Sequence, residues 1–373
     1  MNRELKIILA AGGTGGHLFP AQGLAHELIQ QVPAASLLFV GGGLETNPYF
    51  QKNQFASQDI TVGTLPLRRP IQLMKGLSSL FKGIYQCIKI IDDFKPDLVI
   101  GFGSFHTIPP VLAAKIKGIP ILLHEGNSIP GQANRWLAPL ASCIGVHFPS
   151  TRSFFKGKVF EVGMPLRSGF HKEAVSQKSS RDYFNLHSSK TTVLIFGGSQ
   201  GAKALNQLVL EALPYFKGEN VQFIHLIGSK NSSEEFVSRY REFNLTASVK
   251  PFETEMEKAW AAADFFIGRA GASTLAECME FEKPGILIPY PYATNLHQNK
   301  NAEFLVNTVK GGVMWLEQNV TTELLSHSIH QFLNPDHLAA MQKNIQMYQR
   351  RVNRLTLSQL IISEFTKRNG THE

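Results

Sequence analysis

Near the start of the chain stands Lys6-Ile7-Ile8-Leu9-Ala10-Ala11-Gly12-Gly13-Thr14-Gly15-Gly16-His17-Leu18, and its reading decides the fold. A short apolar run, then a glycine turn, then a helix-period segment predicts a strand buried on both faces, a tight turn and a helix. The pattern returns about half the chain later as Thr192-Val193-Leu194-Ile195-Phe196-Gly197-Gly198-Ser199-Gln200-Gly201-Ala202. Between and after these lie further runs: Leu37–Val40, Leu98–Ile100, Ile119–Leu123, Ile144–Val146, Phe223–Ile227, Phe265–Ile267 and Ile286–Ile288. Strands alternating with helices imply parallel sheets covered by helices, so the fold class is α/β with two doubly wound, Rossmann-like domains.

Length agrees. At roughly 150 residues per domain, 373 residues suggest two. Apolar residues make up 43% and charged residues 18%, which excludes a mainly disordered chain. The net charge of +8 fits nucleic acid, an anionic membrane surface or phosphate-bearing substrates without choosing among them. Cys87, Cys143 and Cys278 form no C-x-x-C pair, which excludes a disulfide scaffold and a cysteine zinc site and suits a reducing compartment. The first apolar run is too short for a signal peptide, and no stretch approaches a membrane span. A linker near Met164–Phe170 sets the expected domains at 1–165 and 166–345, with 346–373 a helical segment packing back on the first.

The chemistry-bearing segments follow strands. Gly12–His17 precedes a helix expected to start near Leu18, with Pro20 in its first turn. Such a turn brings backbone N–H groups and a positive dipole end to an anion or a polar sugar edge. It is neither a Walker loop nor G-x-G-x-x-G, because Leu18 stands where the third glycine belongs. His17 either acts as a base near pH 7 or hydrogen-bonds a neighbouring loop. Ser199 offers a hydroxyl at the second turn, and Arg167 lies near the domain junction, where it clamps a diphosphate or joins a surface ion pair. Thr274-x-x-Glu277 reads either as a capping box or as a carboxylate facing ribose hydroxyls. His124-Glu125-Gly126-Asn127 and the polar loop Tyr290–Asn301 follow two more strands. All these segments lie where open α/β sheets bind ligands.

Residues 71–91 read as an amphipathic helix with Ile71, Met74, Leu77, Phe81, Ile84, Ile88 and Ile91 on one face. Arg68, Lys75, Lys82 and Lys89 recur every seven residues and form a stripe that drifts only about 20° per step. The stripe is either a solvated face or, with Arg69 and the loop 65–70 before it, a surface for anionic lipid.

Together the segments resemble the MurG family of N-acetylglucosaminyltransferases, glycosyltransferase family 28, across nearly the whole chain. The carrying motifs are Gly12–His17 with Pro20, Lys95-Pro96-Asp97 leading to Gly101-Phe102-Gly103, and His124-Glu125-x-Asn127. Gly163-x-Pro165-x-Arg167, Gly197–Ala202, Gly271-Ala272-x-Thr274-x-x-Glu277 and His297-Gln298-x-x-Asn301 complete them. The resemblance implies a GT-B architecture, with two domains facing across a cleft. It implies inverting transfer of GlcNAc from UDP-GlcNAc to the C4 hydroxyl of MurNAc on undecaprenyl-pyrophosphoryl-MurNAc-pentapeptide, with no metal or other cofactor. By motif, His17 is the first candidate for the base and Glu125 the second. Phe252 stacks near uracil, Glu277 binds ribose, and Arg167, Ser199 and the amides near Ala272, Ser273 and Thr274 hold phosphates. Gln298, and less surely His297, read GlcNAc hydroxyls. Thr14, Gly15, Gly16 and Asn127 line the first-domain wall of the donor site, while His17, Asn127, Gly103 and Ser104 face the acceptor. Arg68, Arg69, Lys75 and Lys82 belong to a membrane-facing patch. The implied location is peripheral, on the cytoplasmic face of the bacterial plasma membrane, with cell-wall synthesis and division proteins as partners.

Three departures fall in the first domain. Gly126 replaces the family's glutamine, Ser104-Phe105 replaces Gly-Tyr, and Leu65–Pro70 replaces a glycine-rich loop. They put the acceptor, more than the donor, in question. Rival readings are a related lipid glycosyltransferase with another acceptor, a UDP-GlcNAc 2-epimerase and an NAD-dependent oxidoreductase. The last predicts an acidic residue closing the second strand, where Gly41-Gly42-Gly43-Leu44 stands with Glu45 beyond. A nucleic-acid-binding role lacks any recognition motif.

Overall fold

Ile7, Ile8 and Leu9 are all buried because the first strand is covered on both faces. The computed structural model describes residues 4–63, 70–198, 201–229, 231–352 and 354–366. Arg68, Arg69 and Ser199 lie outside them. The chain divides into two compact units, Met1–Ser168 with Arg354–Glu373, and Gly169–Asn353.

The first unit holds β1 (Lys6–Ala10), β2 (Ser36–Gly41), β3 (Ser57–Asp59), β4 (Leu98–Gly101), β5 (Ile121–Glu125), β6 (Cys143–Val146) and β7 (Val159–Glu161). They pair in parallel in the order β3-β2-β1-β4-β5-β6-β7. Alternate residues serve opposite faces, as the two-residue period requires. Ile7, Leu9, Phe39, Leu98 and Ile100 join one apolar cluster. Ile8, Val40, Val99, Ile121 and Leu123 join the other. The end of the chain is stitched to this unit by the parallel bridge Val162↔Leu355. A capping box follows, with Thr356 accepting from the Gln359 N–H and Gln359 reaching back. It starts a short helix whose Leu357, Leu360 and Ile361 are fully buried.

The second unit holds β8 (Thr191–Phe196), β9 (Val221–Leu226), β10 (Thr246–Lys250), β11 (Phe265–Gly268), β12 (Gly285–Leu287) and β13 (Gly312–Met314). Their parallel order is β10-β9-β8-β11-β12-β13. In each sheet the winding reverses beside the first strand, between β1 and β4 and between β8 and β11. Ligands of open α/β sheets bind at such switch points, outside the carboxyl ends of the strands. Both glycine turns stand there.

Some boundaries move. The expected strand Ile119–Leu123 lies two residues later, so His124 and Glu125 belong to β5 itself. The helix expected near Leu18 starts at Gly15, with the His17 and Leu18 N–H groups donating to the Thr14 carbonyl. Pro20 therefore sits inside the helix, not in its first turn, and removes the N–H that would reach the Gly16 carbonyl.

The amphipathic helix runs Pro70–Phe94, but it turns the other way at its start. Met74 and Phe81 are 72% and 68% exposed, and Leu77 and Tyr85 also face outward. Small residues make the contact instead: a Cβ on Gly83 would fall 2.3 Å from the Thr61 carbonyl oxygen, and one on Gly63 would meet Ser79 and Gly76. Close approach of backbones excludes large side chains from that face, so the large apolar ones are left outside. Further along, Cys87 and Ile91 are buried. Gly83→Ala is expected to lower unfolding stability by about 1–3 kcal/mol, while Phe81→Ala stays within about 0.5 kcal/mol. Urea titration of both variants checks this; the reverse ranking would mean the helix packs through Phe81.

Candidate functional site

In the first unit the site is built around His17. Its Nδ1 donates to the Phe102 carbonyl at 2.8 Å, across the switch point between β1 and β4. In the neutral ring that bond puts the lone pair on Nε2, the atom a general base needs. Gly103 follows with φ +85°, and a Cβ there would lie 3.4 Å from the His17 ring and 3.5 Å from the Asn134 amide nitrogen. Glycine thus lets the loop after β4 close on the imidazole. Thr107, fully buried, ties the same loop down, its one hydroxyl proton shared between the Gly103 carbonyl (2.5 Å) and the Ala10 carbonyl (3.2 Å).

Glu125, the second candidate for the base, has both carboxylate oxygens engaged by the protein. Its Oε1 accepts from the Asn127 N–H (2.9 Å), and its Oε2 accepts from the Gly131 N–H (3.0 Å) and Asn134 Nδ2 (2.9 Å). A buried carboxylate with both oxygens so engaged organises the loop 126–131. It is only 3% exposed. Asn127 is thereby held beside Glu125, and Asn134, which also donates to the His124 carbonyl (3.0 Å), links the group to Gly103. No spacing in the sequence singled out Asn134 or Thr107.

Thr14 caps the helix end without a side-chain hydrogen bond, and Thr14 and Gly16 are exposed. Arg167 belongs to this first unit, with its guanidinium 5.2 Å from the centre of the Phe19 ring. The helix Gly15–Gln31 therefore carries both His17 and the aromatic partner of Arg167.

In the second unit, the turn after β8 is tight. A Cβ on Gly197 would fall 2.6 Å from the Ala202 nitrogen, and one on Gly201 2.9 Å from the Ile227 carbonyl oxygen. The helix Lys203–Ala212 starts from this turn. After β11, Gly271 is the N-cap of the helix Ala272–Glu280, so Thr274 does not cap it and the capping-box reading fails. Ala272, Ser273 and Thr274 are the helix's first turn, half-buried, with their N–H groups at the switch point. Glu277 instead accepts from the Trp260 indole N–H at 2.9 Å, which orients its carboxylate one turn further on. Asn301 is fully buried and donates to the Ala270 carbonyl (3.0 Å). Gln298 accepts the Tyr290 N–H (2.9 Å), His297 bonds the Thr294 carbonyl (2.8 Å), and Phe252 is half exposed. Trp260 and Arg269 carried no motif. Arg269 donates to the Ile288 (2.9 Å) and Pro289 (3.2 Å) carbonyls and pairs with Glu317, holding the base of the loop that leads to Gln298. Among the described residues no group of three or more His, Cys, Asp or Glu is placed to hold a metal ion.

Models of the N-terminal and C-terminal domains of glycosyltransferase family 28 match residues 7–146 and 192–355. The chain belongs to glycosyltransferase family 28. Within it, the chain is a member of the MurG family. It is 48% identical to the UDP-N-acetylglucosamine--N-acetylmuramyl-(pentapeptide) pyrophosphoryl-undecaprenol N-acetylglucosamine transferase of Protochlamydia amoebophila (strain UWE25), over 96% of this chain and 95% of that one. A relative of the same name from Thermodesulfovibrio yellowstonii is 35% identical over 88% and 90%. The crystal structure of Acinetobacter baumannii MurG superposes with a TM-score of 0.75 at 26% identity, covering 97% and 99%. A UDP-glucose: anthocyanidin 3-O-glucosyltransferase bound to UDP shares the fold at a TM-score of 0.71 and 15% identity, covering 98% and 99%. The architecture is GT-B, as the sequence motifs implied.

The two sheets also enclose three histidines. His124, His147 and His225 are fully enclosed, and burial pushes each down to about 3. They stay neutral in the fold but gain a proton on unfolding below about pH 6.5. The unfolded state then binds more protons, so stability is complete above that pH and falls as pH drops toward 3. Each histidine contributes a loss of about 1.4 kcal/mol per pH unit in that window. Urea unfolding at pH 7, 6 and 5 is expected to show this decline, with His225→Gln flattening it by about one third. A pH-independent midpoint would mean that these rings are accessible to protons in the fold.

Proposed function

We propose that this glycosyltransferase moves GlcNAc from UDP-GlcNAc to the C4 hydroxyl of MurNAc in undecaprenyl-pyrophosphoryl-MurNAc-pentapeptide, with inversion. Near full-length similarity to relatives named for that reaction carries the reading. The geometry at His17 supports it. His17 Nε2 takes the proton of the acceptor hydroxyl as its oxygen bonds to the sugar's anomeric carbon. The bond from that carbon to the diphosphate oxygen breaks, and UDP leaves with the electron pair. Fixed N–H donors stabilise such developing charge best where they need not reorganise. The turn before Lys203, the first turn of Ala272–Glu280, Ser199 and Arg167 serve the diphosphate. Glu277, oriented by Trp260, accepts from ribose hydroxyls; Phe252 lies against uracil; Gln298 reads the GlcNAc hydroxyls. Thr14, Gly15, Gly16, Asn127, Gly103 and Ser104 surround the acceptor hydroxyl and the transferred sugar.

The exposed stripe Met74, Leu77, Phe81 and Tyr85 runs beside Lys75, Lys82 and Lys89, an apolar band edged by cations. Such a face suits the surface of an anionic bilayer. We read the protein as peripheral on the cytoplasmic face of the plasma membrane, beside cell-wall synthesis and division proteins. No helix among the described residues is long and apolar enough to cross a membrane. A second reading, transfer to a different lipid-linked acceptor, is favoured by Gly126, Ser104 and Phe105, which remove an amide and a phenol from the acceptor side.

Radiolabelled sugar transfer from UDP-GlcNAc to the undecaprenyl-linked acceptor tests the proposal directly; labelled product with UDP-GlcNAc and little with UDP-GalNAc is expected. Donor turnover without transfer to that acceptor would favour the second reading. His17→Ala is expected to reduce kcat by about 10²–10⁴ with UDP-GlcNAc affinity retained, and unchanged turnover would remove His17 from the mechanism. Lys75→Glu with Lys82→Glu should weaken sedimentation with anionic vesicles at low salt; identical binding would return the stripe to a solvated face.

A further inference from the structure

We infer that His106 is a positioning residue for the acceptor, its Nε2–H supplying a hydrogen-bond donor at the edge of the glycine turn. The inference rests on the function proposed above. Phe105 is turned away from the glycine turn: its ring meets Trp136 edge-on at 6.3 Å, and it packs against the apolar cluster under that face. His106 takes the place beside the turn. Its Nδ1 accepts from the Gly42 N–H at 3.0 Å. Only a ring nitrogen with a lone pair can do so, which fixes both the ring orientation and the tautomer. In the neutral ring the proton is then on Nε2.

That edge of the ring lies along the glycine turn. A Cβ on Gly12 would fall 2.5 Å from Nδ1, and one on Gly13 would lie 3.5 Å from Nε2. Gly13, the turn residue beside Nε2, is exposed, and His106 itself is half-buried. Among the described residues Nε2 has no hydrogen-bond partner. Burial lowers the ring's proton affinity, a proton on His17 would lower it further, and Asp59 opposes. His17 and His106 therefore share one electrostatic environment at the same turn.

The backbone is held in an uncommon shape to achieve this. Ser104 has φ 63° and ψ 170°, a conformation that favours glycine and is strained for any other residue. Its hydroxyl compensates in part by accepting the His106 N–H (3.3 Å) and reaching the Gly12 carbonyl (3.5 Å). The loop keeps a glycine-like path with a serine in it, and the path delivers the His106 ring to Gly42 and the turn.

Two substitutions separate the two ring nitrogens. His106→Asn keeps an acceptor near Nδ1 for the Gly42 N–H and removes the Nε2 donor. His106→Gln keeps a donor near Nε2 and loses the Nδ1 acceptor. One hydrogen bond of ordinary strength corresponds to about three- to tenfold in affinity. His106→Asn is thus expected to raise the acceptor KM about three- to tenfold with donor KM and melting temperature near wild type. His106→Gln should keep the acceptor KM and lower the melting temperature. An unchanged acceptor KM in His106→Asn, or donor and acceptor KM rising together, would overturn the inference. Absence of transfer by the wild-type protein would instead overturn the proposed function, so the two failures are distinct.

Discussion

One hydrogen bond organises the first half of the candidate site: His17 Nδ1–H to the Phe102 carbonyl. It spans the switch point of the first sheet and joins the glycine turn after β1 to the loop after β4. It also sets the protonation pattern of the imidazole, because a nitrogen that donates to a carbonyl leaves its ring partner as the acceptor. Gly103 is needed so that the loop can approach this ring, and Thr107, Asn134 and Glu125 hold the loops on either side. Backbone geometry thus fixes which nitrogen of the ring carries the proton.

The second half works by a related principle. Two glycine turns bring helix starts to the carboxyl ends of β8 and β11, and the N–H groups of those first turns are the donors the proposal assigns to the diphosphate. Side chains then refine the position: Trp260 aims Glu277, and Arg269 holds the strand end that leads to Gln298. Neutral histidines beneath the sheets make the same fold sensitive to acid.

Much of this was legible in the sequence. Buried parallel strands read as continuous apolar runs, so β1, β4, β8 and β11 could be located and the glycine turns set after them. The features that the sequence did not reveal have physical causes. The turn at Gly12–His17 reads as a loop because glycine is a poor helix former, yet Gly15 begins the helix. Thr274 matches a capping pattern, but Gly271 takes the cap and Thr274 falls in the first turn of the helix. The helix Pro70–Phe94 has its large apolar residues outside at its start because the inner contact is backbone to backbone, a feature that period counting cannot register. Glu125 reads as a candidate base by residue type alone; its engagement depends on Asn134 and Gly131, which no motif connects to it.

The account turns on the state of His17, which can be measured without any acceptor. Nitrogen-15 NMR of histidine-labelled protein, assigned with His17→Gln, reports the protonation of each ring nitrogen. With UDP-GlcNAc present at neutral pH, a protonated Nδ1 and an unprotonated Nε2 are predicted. A proton on Nε2, or a doubly protonated ring under those conditions, would contradict the assignment of His17 as the base.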